Sequence, residues 1–75
     1  MNKETLMINN YIDAHKSYQG KVRQLREKYN NTKDFQVMFG YLVMEIVSTD
    51  KSLMNLNRAN IDLPLLSQKF FGKGK

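Results

Sequence analysis

Apolar and aromatic side chains recur along the first part of the chain at helical intervals. Ile8, Tyr11, His15, Tyr18, Val22, Leu25 and Tyr29 follow one another at spacings of three and four. At 100° per residue these positions share one face, so the pattern predicts a continuous amphipathic helix over residues 3–30. Asn2 is suited to cap its start, and the pair Asn30-Asn31 to end it in a tight turn.

A second series, Phe39, Leu42, Ile46, Thr49, Leu53, Leu56 and Asn60, repeats the same intervals and predicts a helix over residues 33–59. Thr32 is its expected cap, and Asp34 suits the positive end of the helix dipole. Ser48-Thr49-Asp50 is the place where it would break, because short polar side chains compete for backbone hydrogen bonds. The valines and aromatics of residues 35–47 also suit a strand, but no further strand is available to pair with it. Leu63-Pro64 stops the second series, since the residue before proline resists helical angles. A short helix over about 64–71, capped from Asp62, is expected to follow.

These elements define an all-α fold: an antiparallel helical hairpin of two long helices plus a short C-terminal helix. Residues 1–71 form the single domain and residues 72–75 a flexible basic end. Val37, Met44 and Val47 lie off the Phe39–Ile46 seam, and a lone hairpin would leave them in water. They need either the short third helix or a second subunit to cover them; a homodimeric four-helix bundle is the leading expectation, with Val37, Phe39, Met44, Ile46, Val47, Leu66, Phe70 and Phe71 at the interface. Gly20 and Gly40 fall near one level of the hairpin. Each is read either as a tolerated weak point or as a place of close helix approach.

Composition narrows the chemistry. A chain of 75 residues without cysteine has no disulfide and no thiolate metal site, and the single His15 cannot build a metal site alone. Self-association is the remaining staple for so small a core. No secretory signal is evident, and the 13-residue apolar stretch from Phe35 to Val47 is too short for a bilayer, which needs about 20. A cytoplasmic protein with no membrane contact is expected. Asn30-Asn31-Thr32 matches a glycosylation acceptor and is read as coincidence. The wealth of lysine and asparagine is of the kind that AT-rich genomes, such as those of phages, encode.

No serine–histidine–acid set, phosphate-cradling glycine loop or metal-ligand spacing occurs. The chain is read as a non-enzyme without cofactor or metal. His15 is assigned to the helix interface, and Glu45 to an ion pair across the bundle.

The net charge is +5, unevenly spread. Residues 14–33 hold six basic side chains against one acid, Glu27. Within them Lys16, Gln19, Arg23, Arg26 and Asn30 form a polar and basic stripe at spacings of three and four. Such a stripe suits phosphates, with arginine and glutamine able to reach base edges. The leading functional expectation is a small regulatory protein that contacts RNA or DNA through this stripe. The alternative is an inhibitor or adaptor that binds another protein through its apolar surface or the segment Leu65-Leu66-Ser67-Gln68-Lys69-Phe70-Phe71.

Overall fold

The computed structural model describes residues 2–29 and 33–70. It is all-helical, with no strand among these residues. Four α-helices occur in the order α1 (Lys3–Ala14), α2 (Lys16–Tyr29), α3 (Lys33–Thr49) and α4 (Leu63–Phe70). Two 3-10 turns, Lys51–Leu53 and Arg58–Asn60, lie between α3 and α4. No helix among the described residues is long and apolar enough to cross a membrane.

The first predicted helix is in fact two. His15 takes an extended backbone (φ −123°, ψ 106°), and its N–H bonds the Ile12 carbonyl at 3.2 Å. The imidazole stacks on Tyr11 with centroids 3.9 Å apart, and Nδ1–H donates to the Tyr11 carbonyl at 2.8 Å. His15 is thus exposed at a helix junction, not buried in a seam. The break re-aims α1. Its buried residues are Thr5, Ile8, Asn9 and Ile12, whereas α2 buries Tyr18 and Val22. Ile12 lies four residues after Ile8 on the same face of α1, and both are at 0% exposure. The gain is that of burying a large aliphatic side chain, about 1.5–3 kcal/mol.

The second predicted helix stops ten residues early, at Thr49 rather than at 59. The hydroxyls of Ser48 and Thr49 donate back to the carbonyls of Met44 and Glu45. Asp50 then turns extended, and its carboxylate accepts from the Ser52 N–H at 2.8 Å and the Ser52 hydroxyl at 2.6 Å. Asn57 caps the second turn in the same way, through the Ala59 N–H. Leu53 consequently enters the core from a 3-10 turn. The ends anticipated from sequence at Asn2 and Asp62 are both present. Asn2 Oδ1 accepts from the Thr5 N–H at 2.8 Å, and Asp62 Oδ1 from the Leu65 N–H at 3.0 Å.

One hydroxyl joins the two ends of the described chain. Thr5 is fully buried; its Oγ1 accepts from the Asp62 N–H at 2.9 Å and faces the Asn60 carbonyl at 3.4 Å. Around it the core gathers Ile8, Ile12, Phe35, Phe39, Val43, Ile46, Val47 and Leu66. Phe39 packs between the rings of Phe35 and Phe70, at centroid distances of 5.9 and 5.7 Å.

Four residues expected at a dimer interface are therefore spent inside one chain: Phe39, Ile46, Val47 and Leu66 are all at 0% exposure. Phe70 is half-buried against Phe39, and Phe71 lies outside the described residues. Val37 does face outward, while Met44 is half-buried and packs against the core. α4 covers Phe39 and leaves Val37 53% exposed.

Candidate functional site

Two surfaces stand apart from the core. The first is a cleft of about 240 Å³ where α1, α2 and α4 meet, lined by Ile12, Asp13, Gln19, Val22, Arg23, Arg26 and Phe70. Three members of the predicted basic stripe, Gln19, Arg23 and Arg26, share the α2 face that forms one wall. Lys16 is exposed at the start of α2, outside this lining, and Asn30 lies outside the described residues.

The stripe is not an unmodified solvated face. Arg26 Nη1 donates to the Phe70 carbonyl at 3.2 Å, tying α2 to the end of α4. The Gln19 amide donates to the Asp13 carbonyl, bridging the break between α1 and α2. Arg23 makes no ion pair among the described residues, not even with Glu27 one turn on. The one acid of the cleft, Asp13, is met by Lys69 Nζ at 3.5 Å. Lys69 also donates to Asn9 Oδ1 and sits 5.3 Å from the centre of the Phe70 ring. With Asp13 countered in this way, the two guanidinium groups set the sign of the cleft. Asp13, Lys69 and Phe70 were not legible as parts of this site, because they reach it from α1 and α4.

The second surface is the outer side of α3. Val37, Tyr41 and Met44 fall within about 60° of arc at 100° per residue, away from the core positions of the same helix. Tyr41 is 66% exposed, more than any other large apolar residue described. With Gly40, Leu63, Lys33 and Gln36 these residues line an open groove of about 690 Å³. Leu63 Cδ1 stands 3.6 Å from where a Cβ on Gly40 would lie. The sequence marked Val37, Met44 and Gly40 but passed over Tyr41.

A third cluster surrounds the break at His15. Tyr11 and Tyr18 have ring centroids 5.7 Å apart, and Lys21 lies 5.0 Å over the Tyr18 ring. Hydrogen bonds from Ser52 hold the Asp50 carboxyl below its usual range, helped by the Tyr11 hydroxyl and the nearby His15. The Tyr11 hydroxyl is pushed up, first by burial and then by the Asp50 charge. These groups are occupied in shaping the junction and the turn after α3. Glu45 forms an ion pair with Lys21 of α2 at 3.3 Å. Among the described residues no three histidine, cysteine or acidic groups gather where they could hold a metal ion.

Comparison with known proteins adds no relative: no family model, no curated protein and no solved structure matches the chain.

Proposed function

We propose that this chain is a small, non-enzymatic, cytoplasmic regulatory protein that holds nucleic acid at the α1–α2–α4 cleft. In this reading α2 and α3 form an antiparallel hairpin, and two hairpins assemble through the outer side of α3. The observation that carries it is the convergence of Gln19, Arg23 and Arg26 on one cleft beside the Phe70 ring, with Asp13 neutralised by Lys69. Guanidinium groups take phosphate oxygens in a planar, bidentate fork. The Phe70 ring is half-buried against Phe39, and the part of it that lines the cleft offers an apolar contact for an unpaired base. Together they favour a single strand over a duplex, whose bases are already stacked. Covering the apolar groove would leave the polar and basic surface as the part that meets a partner.

The test is titration of labelled single-stranded and duplex RNA and DNA at several salt concentrations. Lys16 and Arg23 are the residues to reverse, because both are exposed and neither holds the fold together. With Arg26 counted beside them, two copies present six cations. The slope of log affinity against log salt is expected near −4 for a single strand, from roughly −0.7 per neutralised phosphate. Lys16→Glu with Arg23→Glu should abolish most of that slope. Absence of binding at low salt by folded protein would overturn this reading and favour a protein partner at the α3 groove.

A further inference from the structure

We infer that the α1–α2–α4 cleft selects its base: Asp13 and Lys69 together take the hydrogen-bonding edge of an unpaired guanine whose ring lies on the apolar floor. The inference rests on the nucleic-acid reading above and adds the identity of the base. The floor is made by Ile12, Val22 and part of the Phe70 ring. Arg23 and Arg26 come from α2, and Asp13, the one acid of the lining, comes from α1. A cleft of about 240 Å³ lies below the roughly 300–1,000 Å³ of sites for drug-sized ligands. It has room for one base beside its phosphate, and not for a stacked run.

The hydrogen-bonding capacity left open decides which base fits. Asp13 Oδ2 meets Lys69 Nζ at 3.5 Å, and Oδ1 accepts from no group among the described residues. A carboxylate offers about four lone-pair sites, so this long ion pair leaves most of them open. Asp13 is also 54% exposed, within reach of a ligand. Lys69 gives one N–H to Asn9 Oδ1 and turns one towards Asp13, and an ammonium has three. A donor and two acceptor oxygens thus stand side by side at the edge of the cleft. Guanine presents the complement: one carbonyl oxygen followed by two adjacent N–H groups. Adenine and cytosine carry an acceptor nitrogen beside the amino group, where it would face the carboxylate. Uracil and thymine have a single N–H between two carbonyls. Guanine alone gives each carboxylate oxygen a donor. Its edge is free only when the base is unpaired, which agrees with a single-stranded ligand. Gln19 does not compete for the base through its amide N–H, which is given to the Asp13 carbonyl.

The test is titration of the full chain with uracil octamers that carry one central guanine, adenine, cytosine or inosine. The guanine strand should bind about tenfold more tightly than the adenine or cytosine strand, the lower part of what one bidentate pair discriminates, since Asp13 is half exposed. Inosine keeps the carbonyl and one N–H but lacks the amino group, so its strand should fall between. It alters no protein residue and reads the contact whatever a variant does to folding. Asp13→Asn should erase the preference while phosphate binding persists, because an amide cannot accept through both of its ends. The half-exposed ion pair that it removes adds little to the fold. Competition by guanosine monophosphate, and none by adenosine monophosphate, supports the same contact. A competitor as tight as the octamer assigns the site to a free nucleotide, and a weaker one assigns it to a strand. Equal affinity for all the octamers overturns the inference. So does a guanine preference that survives Asp13→Asn, or an inosine strand that binds as tightly as the guanine strand. These outcomes leave the cleft reading standing where Arg23→Glu still weakens every octamer. No binding of any octamer at low salt overturns both.

Discussion

Replacing Gly40 with alanine is expected to stabilise the chain. Glycine inside an α-helix costs about 1 kcal/mol relative to alanine, because it surrenders more backbone freedom. Gly40 sits in the middle of α3, and a Cβ there would meet only Leu63 Cδ1, at 3.6 Å, an ordinary van der Waals distance. Within one chain the substitution therefore gains helix propensity without a clash. For a domain of this size about 1 kcal/mol corresponds to a melting shift of roughly 4–8 °C. Gly20→Ala is the matched case: it lies within α2, and a Cβ there meets nothing within 4 Å. It should give the same gain, and the assay is a thermal melt of each variant beside the parent chain. A melting point lowered by Gly40→Ala would refute the account of its place within the chain.

Thr5→Val should destabilise the fold by about 1–3 kcal/mol, because it leaves the Asp62 N–H without its acceptor; Thr5→Ser should retain most of the stability in a denaturant titration. Asp50→Asn should lower the melting temperature at neutral pH, because the lowered Asp50 value makes its folded-state contribution fully present above the unfolded carboxylate range. That contribution is lost as pH falls through the native value, so the gap between the two proteins should close towards pH of about 2; a gap that persists unchanged would remove the charge from the explanation. Ile46→Asp should unfold the chain, since Ile46 is fully buried and an unpaired buried charge costs several kcal/mol; retained helicity by circular dichroism would contradict the core described here.

The sequence alone determined the helical class and the places where α1, α3 and α4 start. Period-3.6 patterning is a local property, and so are the caps at Asn2 and Asp62, each of which bonds a backbone group three residues on. It also placed Gln19, Arg23 and Arg26 on one helix face, because they are spaced by fours and threes within α2. What it did not determine was how long each helix runs. Tyr11, His15 and Tyr18 fit a continuous seam as well as they fit a junction, and the extended backbone at His15, with its ring stacked on Tyr11, is seen only in the folded chain. Ser48, Thr49 and Asp50 announced a break in α3, but the apolar spacing through Leu53 and Leu56 pointed the other way. The turn prevails because three side chains satisfy the backbone there while Leu53 still reaches the core. Tertiary structure alone decided which apolar residues remain outside. Val47 and Val37 look alike in the pattern, yet Val47 is fully buried and Val37 is exposed. The cleft was settled at the same level: Phe70, Lys69 and Asp13 come to α2 from distant parts of the chain, and no local spacing encodes a contact across 44 residues.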